Sequence, residues 1–222
     1  ASTVRIVFRN GRKEIICDDK PISDRKNLVE RYPCVVFCHD DLEFVRGGPE
    51  QQRLFFDQTA SLLYPEYLGN LRDYQKILKS RNALIKEQRV DLLDPYNEQL
   101  VRFGQLLMAK RSELVAIFNG LFTAVFETVS GGISGVKIDY RPNWSGMDSE
   151  AALRRLRERL PVDLALKSTT SGVHRDKFLF LRDQSDFSDS ASTGQFRLMS
   201  LLMRLAQASL IESLVKQPPI LL

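Results

Sequence analysis

The chain has 222 residues, of which 43% are hydrophobic and 27% charged, a composition typical of a globular protein that buries a sizeable core. No uninterrupted apolar run approaches the roughly 18 residues that a membrane-spanning helix needs. The formal net charge of +4 mildly favours a polyanionic partner but is too small to demonstrate one. The composition therefore argues against a membrane partner and predicts one large or two small folded domains.

The first part of the chain is predicted to be rich in β-strands. Residues 4–9 alternate between apolar and charged side chains, Asn10-Gly11 is a strong two-residue hairpin turn, and residues 13–17 form the returning strand. Residues 34–38 are wholly apolar, which is typical of a short buried strand. This strand leads directly to Asp40 and Asp41.

The three cysteines are an odd number and include no CxxC pair, so we interpret them as reduced thiols of a cytoplasmic protein. Cys34, Cys38 and His39 could be considered as zinc ligands, but a fourth ligand is missing. The sequence therefore predicts no metal site and places the cysteines in buried strands.

Two long amphipathic helices are predicted in the middle of the chain. Apolar residues recur at helical spacing over 68–85, interrupted only at Arg81, and they follow a nearly heptad pattern over 100–125. Asp94-Pro95 separates the two as an N-cap and first turn. At 1.5 Å per residue the helices would be about 35 and about 50 Å long. A helical bundle and a rudimentary coiled-coil arm both fit, and we expect a short arm packed into a helical subdomain.

The last third returns to mixed structure. Strands are predicted over 136–140 and 178–181, and an arginine-rich helix over 151–160 begins at Ser149. A polar loop then precedes a helix from about residue 193 to 216. A short apolar segment, Pro218 to Leu222, follows this helix.

The motif Ser192-Thr193-Gly194-Gln195-Phe196-Arg197 is the most informative feature of the chain. A Ser-x-Gly-Gln turn that opens a helix leading into an apolar strand is the architecture of an ABC-class signature. Its small residues let backbone N–H groups and a hydroxyl approach a phosphate, and the helix N-terminus adds positive partial charge. In that class the partner subunit holds the nucleotide, so the motif predicts a dimer as well as a ligand. Taken alone, the same residues also fit an ordinary helix N-cap.

The sequence lacks the other parts of an ATPase site. None of the twelve glycines is followed by lysine, so the phosphate loop GxxxxGK[ST] is absent. The chain also stops on the apolar segment after which a Walker-B acid pair should follow, and it starts at Ala1. We therefore expect an interior piece of an ATPase that contains no catalytic residue and hydrolyses nothing alone.

Four blocks, in the same order as in the family, resemble the RecF family of DNA-repair ATPases of the ABC/SMC class. They are Val35-Val36-Phe37 to Asp41-Leu42 with Gly48-Pro49 and Arg53-Leu54-Phe55-Phe56-Asp57; Tyr74, Leu78, Arg81-Asn82 and Leu84; Thr169-Thr170 with Gly172 and His174-Arg175-Asp176; and the signature with Pro219-Ile220-Leu221-Leu222. The resemblance covers most of the chain. Departures from the family pattern occur at His39, Gln52, Val173 and Lys177.

The resemblance implies a complete protein that binds ATP and Mg²⁺ at a homodimer interface, binds double-stranded DNA and works with RecO- and RecR-type partners. It assigns trans contact with the nucleotide to Ser192, Gly194, Gln195 and Arg197, and a nucleotide-coupling loop to Asp40 and Asp41. Candidate phosphate or DNA contacts are His174, Arg175, Arg154, Arg155 and Arg53. For these groups the alternatives are a solvated turn at Asp40 and Asp41, a backbone-bonded His174, and arginines paired with neighbouring acids.

The predicted fold class is α+β: part of an ABC-type ATPase head, with antiparallel strands and a signature helix, and an inserted helical subdomain bearing a two-helix arm. Residues 1–48 would be the β-rich part of the head, 49–132 the helical subdomain, and 133–222 the strands, basic helix and signature helix. Two alternative functions stay open: a helical protein-interaction module without a nucleotide role, and a non-catalytic DNA-binding domain. No bound cofactor is expected on this chain alone.

Overall fold

The structure is a computed structural model that describes residues 3–9, 12–22, 32–38, 41–129, 135–216 and 218–222. The strands are β1 Val4–Arg9, β2 Arg12–Cys17, β3 Lys20–Ile22, β4 Cys34–Val35, β5 Val136–Arg141, β6 Lys177–Arg182, β7 Ser185–Asp186 and β8 Ile220–Leu221. The helices are α1 Leu42–Arg46, α2 Pro49–Leu63, α3 Tyr67–Lys86, α4 Leu93–Val129, α5 Ser149–Glu158, α6 Leu160–Leu166 and α7 Thr193–Val215. The fold is α+β, as predicted.

The predicted hairpin at the start of the chain is confirmed. β1 and β2 pair antiparallel, with Val4 opposite Cys17 and Arg9 opposite Arg12, and β3 adds a third strand. The turn residues Asn10 and Gly11 lie outside the described residues. A second antiparallel sheet has the order β5-β6-β7 and contains the predicted strands 136–140 and 178–181.

The predicted strand over 34–38 is shorter and less buried than expected. β4 covers Cys34–Val35 and pairs in parallel with β8. Val35 is 1% exposed, but the next residue, Val36, is 45% exposed, and Cys38 is exposed as well. Backbone hydrogen bonds to the end of the chain continue as far as the N–H of Phe37, which donates to the carbonyl oxygen of Leu222 at 2.8 Å, whereas the N–H of Cys38 donates to the carboxylate of Asp41 at 3.0 Å, just before α1. The prediction of buried strand cysteines is therefore wrong for Cys38.

The two predicted long helices are α3 and α4. They lie against each other, and α4 is 37 residues long, about 55 Å at 1.5 Å per residue. It starts at Leu93, so Asp94 lies in its first turn and is not the N-cap. The side chains of Leu100, Leu107 and Phe118 are fully buried along its length. The two helices are therefore packed into the helical part of the fold.

Residues from the last third of the chain pack into the same core as α4. A Cβ atom on Gly104 would lie 2.5 Å from the ring of Trp144, so the glycine is what lets this fully buried indole pack on α4. The N-cap of the arginine-rich helix α5 is Asp148, one residue before the predicted cap Ser149, because the side chain of Asp148 accepts the N–H of Ala151. Its buried residues Ala152 and Leu156 face the same core.

One cluster of buried apolar side chains extends from Phe44 to Leu210 and includes residues on both sides of positions 48 and 132. The domain boundaries 1–48, 49–132 and 133–222 stay predictions.

Among the described residues, α7 is the helix that by length and composition could cross a membrane, but 44% of its apolar window is buried inside the protein. Met199, Leu202 and Met203 of this helix belong to the core.

Candidate functional site

The signature motif forms the N-terminus of α7, and its serine and glutamine hold each other in place. The Oγ of Ser192 accepts the N–H of Gln195 at 3.3 Å, and the Oε1 of Gln195 accepts the N–H of Ser192 at 2.8 Å. This capping box satisfies two helix-end donors. Because a hydroxyl that accepts one hydrogen bond can still donate its own proton, the O–H of Ser192 stays able to donate to a phosphate oxygen.

Gly194 is not required by the packing of this chain. A Cβ atom there would meet only the Oγ of Ser192, at 3.9 Å. Ser192, Gly194 and Arg197 are all exposed. The N–H groups at the start of an α-helix precede the first intrahelical bonds and point outward. The glycine therefore leaves room for a group from outside the chain, next to the backbone N–H groups of the first helical turn.

The structure brings two predicted sites together in one cleft of about 320 Å³. Arg197 of the signature motif and Asp41 of the predicted coupling loop both line it, together with Phe37, Cys38, Ser200 and Leu201. Asp40 and His39 lie outside the described residues. The predicted signature and the predicted coupling loop are thus neighbours in space, although more than 150 positions separate them in sequence.

Asp41 is not in a solvated turn. Its side chain is 9% exposed and accepts two hydrogen bonds from Arg204 of α7, at 2.6 and 3.0 Å. It also accepts the N–H of Cys38. The guanidinium of Arg204 lies 5.2 and 5.3 Å from the ring centroids of Phe44 and Phe55. The carboxylate therefore ties the loop before α1 to the signature helix.

His174 is held inside the chain by both ring nitrogens. Its Nδ1 lies 2.7 Å from the hydroxyl of Tyr74, and its Nε2 lies 3.0 Å from the carbonyl oxygen of Thr169. A carbonyl only accepts, so Nε2 carries the proton and Nδ1 accepts from Tyr74. Burial lowers the pKa of His174 to about 4, and the nearby arginine charges act in the same direction. The geometry is that of the backbone-bonded alternative, and a phosphate contact stays a prediction.

Arg53 and His174 line a common cleft of about 300 Å³ with Tyr74 and Gln75. Arg53 is half-buried and donates to the carbonyl oxygen of Asp176 at 2.8 Å. Burial lowers the pKa of Arg53, and the charge of Arg111 lowers it further. Arg175 is exposed and donates to Thr169 at 3.1 Å. The structure thus collects Arg53, His174 and Arg175 around the 169–176 segment.

The arginine of this region that carries the most buried contacts is Arg111, which sequence reasoning missed. Its side chain is 2% exposed and donates to Asp57, to Asp176 at 2.7 Å and to the carbonyl oxygen of Val173. Tyr140 also donates to Asp176. Burial raises the pKa of Asp176, and the charge of Arg111 opposes that shift. The network joins α2 and α4 to the end of the 169–176 segment.

A second buried arginine connects two of the family-like blocks directly. Arg81 is fully buried and donates to Asp163 at 2.8 Å, to Thr169 at 2.7 Å and to Asn97. Next to it, the side chain of Asn82 accepts the N–H and the hydroxyl of Thr169. The residue that interrupts the apolar pattern, Arg81, therefore forms an ion pair inside the core.

Arg154 and Arg155 lie on the exposed face of α5, each beside an acid. Arg154 pairs with Glu150 at 3.0 Å, and the nearest oxygen of Glu158 to Arg155 is 3.9 Å away. Both pairs are largely exposed, so each contributes little to stability and leaves the arginines able to exchange partners. A DNA contact by these two residues stays a prediction.

Three of the four departures from the family pattern lie among the described residues. Val173 and Gln52 are buried, and Lys177 is exposed.

Among residues 3–9, 12–22, 32–38, 41–129, 135–216 and 218–222, no group of three His, Cys, Asp or Glu side chains could hold a metal ion. The absence of a metal site from the whole chain stays a prediction.

Sequence reasoning missed Arg111 and Arg204, and a sequence signal existed for Arg111 alone. Leu107 and Leu114 share one position of the predicted heptad seam and Arg111 shares the other with Phe118, so a charged residue occupies a core position of the seam. A charge at such a position needs a buried partner. Arg204 had no comparable signal, because its partner Asp41 is 163 residues away.

The comparisons with known proteins converge on one family. The DNA replication and repair protein RecF of Treponema pallidum is 41% identical over 220 residues, which are 99% of this chain and 62% of that protein. RecF of Lachnospira eligens is 31% identical over 96% of this chain and 60% of its own length. This chain therefore spans about 60% of the length of the curated relatives it matches. No family model matches the chain.

Solved structures show the same fold. A structure described as the recombination mediator protein RecF with ATPrS in the RecFOR pathway matches with a TM-score of 0.87 at 23% identity, over 99% of this chain and 62% of that chain. The corresponding structure with ATP gives a TM-score of 0.87 at 24% identity. The expected similarity to RecF is confirmed in sequence and in fold.

Proposed function

From the homology to RecF along nearly the whole chain, we propose that this chain provides the signature surface of a RecF-type DNA replication and repair protein. In the complete protein, two subunits bind ATP with Mg²⁺ at their interface. Ser192, Gly194, Gln195 and Arg197 of one subunit contact the nucleotide held by the other. Since the sequence contains no Gly-Lys dipeptide, we assign to this chain nucleotide contact in trans and no catalytic residue.

The observation that carries the proposal is the exposed N-terminus of α7. The helix begins in a capping box, its glycine faces open space, and its first N–H groups are directed out of the chain. An ordinary N-cap explains Ser192 and Gln195 but gives no reason for glycine at 194. A phosphate that approaches the backbone closely does give one, and two solved RecF structures that share this fold are described with ATPrS and ATP.

Ser192→Arg in the complete protein tests the proposal. The large side chain would fill the space above Gly194, and we expect ATP-dependent dimerisation, measured by analytical ultracentrifugation with and without ATP, to be lost. The matched control is Ser209→Arg, the same substitution at an exposed position about 25 Å further along α7. If both variants still dimerise with ATP, the protein-interaction module becomes the better explanation.

The partners follow from the same relationship. We propose double-stranded DNA and RecO- and RecR-type proteins as partners of the complete protein, in the cytoplasm. The basic residues Arg154, Arg155, Arg53 and Arg175 support a DNA contact by charge, since lysine and arginine side chains bind the phosphate backbone. Duplex binding that is steeply salt-dependent but independent of ATP and of Ser192 would instead support the non-catalytic DNA-binding domain.

A further inference from the structure

Resting on the proposed function, we propose that Arg204 is a positioning residue that couples the signature motif to the loop ending at Asp41. Through this side chain, contact of the signature with the partner's nucleotide is transmitted to Asp41 and to the helical part of the fold. The signature surface would then have a partner inside the chain, since Arg204 on the signature helix holds Asp41.

The first step is the position of Arg204 on the signature helix. Arg204 lies twelve residues after Ser192 on the same uninterrupted helix, about 18 Å along the axis. A helix whose buried side is packed against a core moves as a rigid element. Any tilt or rotation of α7 that follows contact at Ser192 is therefore transferred to Arg204.

The second step is the number of groups that converge on Arg204. Its Nε and Nη2 donate to the same oxygen of Asp41, at 3.0 and 2.6 Å, and its Nη1 donates to Gln207 at 3.0 Å. The guanidinium also lies over Phe44 of α1 and Phe55 of α2, whose rings stack with centroids 4.3 Å apart. Gln207 in turn donates to Thr59 of α2. One face of α7 thus holds the loop, α1 and α2.

The third step is the link from Asp41 to the backbone of the loop. The other carboxylate oxygen of Asp41 accepts the N–H of Cys38 at 3.0 Å. The loop also forms one wall of the cleft that contains Arg197. A shift of Arg204 therefore moves the backbone at Cys38 relative to the signature residue across the cleft. A planar guanidinium with three hydrogen bonds and two ring contacts has few alternative positions, which makes the link stiff.

The test uses the complete protein and separates coupling from stability. We expect Arg204→Gln to weaken ATP-dependent dimerisation at least 10-fold at a temperature where the variant is fully folded by circular dichroism. Asp41→Asn should weaken it by a similar factor. Arg204→Lys keeps the charge but loses the fork and the ring stacking, so an intermediate loss is expected. The double variant Arg204→Gln with Asp41→Asn should lose no more than either single change, because both remove the same contact.

Leu210→Ala is the matched control. Leu210 lies on the same helix, is 2% exposed and belongs to the core cluster, so its truncation destabilises the fold without removing the contact to Asp41. If Leu210→Ala weakens dimerisation as much as Arg204→Gln does at equal loss of thermal stability, Arg204 acts only through stability and the proposal is overturned. It is also overturned if Ser192→Arg abolishes dimerisation while the Arg204 and Asp41 variants dimerise normally. Indifference to Ser192→Arg itself would refute the proposed function instead.

Discussion

His174 makes the stability of this chain depend on pH in a predictable direction. Its ring is held neutral between the hydroxyl of Tyr74 and the carbonyl oxygen of Thr169, and burial lowers its pKa from 6.5 to about 4. In the unfolded chain the histidine takes up a proton near its ordinary pKa. As the pH falls from 7, the unfolded state therefore binds the proton first, and the folded state loses relative stability until the pH reaches about 4.

The magnitude follows from this difference in pKa. The full shift corresponds to about 3 kcal/mol, at about 1.4 kcal/mol for each pH unit. Between pH 7 and pH 5, where most carboxylates stay ionised, the histidine should account for about 2 kcal/mol of lost stability. Above pH 7 its contribution is constant. The stabilising effect of the neutral ring is thus present above the ordinary histidine pKa and disappears on acidification.

Urea unfolding followed by circular dichroism at pH 7, 6 and 5 measures this contribution. We expect the free energy of unfolding of the unmodified chain to fall by about 2 kcal/mol more than that of His174→Gln, since glutamine does not titrate. His39→Gln, the same change at the chain's other histidine, is the control, because it leaves the Tyr74 and Thr169 contacts in place. Parallel pH profiles for the unmodified chain and His174→Gln would refute the reasoning, as would an NMR pKa of His174 near 6.5.

Three other expectations follow from the site. Arg111→Met should lower the free energy of unfolding in urea by about 3–5 kcal/mol, because it leaves the buried carboxylates of Asp57 and Asp176 unpaired. Lys110→Met, which breaks the exposed pair with Glu113, should lower it by about 1 kcal/mol or less. Gly172→Ala should lower the free energy of unfolding by about 2–4 kcal/mol, since the φ of Gly172 is +140° and a Cβ would lie 2.5 Å from the Tyr74 hydroxyl. Gly194→Ala should leave the free energy of unfolding nearly unchanged yet weaken ATP-dependent dimerisation. An equal loss of stability at both glycines would contradict this. Replacing Arg154 and Arg155 together by Gln should lower the slope of log K against log salt for duplex binding by the complete protein by about 2, with thermal stability retained; an unchanged slope would place the DNA contact elsewhere.

Much of the fold was predictable because its signals are local. The hairpin of β1 and β2 follows from alternation around Asn10-Gly11, and α3, α4 and α7 follow from apolar residues at helical spacing. The N-cap at Ser192 was also predictable, since a capping box involves residues three positions apart. The strand at 34–38 was predicted too long because its length depends on its partner β8, a two-residue strand that lies far away in the sequence.

The site divides in the same way. Ser192, Gly194, Gln195 and Arg197 could be assigned from sequence, because one contiguous motif carries the chemistry of phosphate contact. Sequence reasoning placed His174 among candidate phosphate contacts, but its two partners come from α3 and from the residues just before it, and their distances exist only in the folded chain.

The sequence by itself determined most helices and strands, the signature motif and the similarity to RecF. Each of these depends on residues close together along the chain or on blocks of residues that keep their order. Only the tertiary structure decided that Arg81 and Arg111 are core ion pairs, and that Asp41 meets Arg204 beside the signature helix. Whether a charged side chain is a surface contact or a buried link depends on its desolvation and its partner. Both are set by residues distant in sequence that packing brings within hydrogen-bond distance.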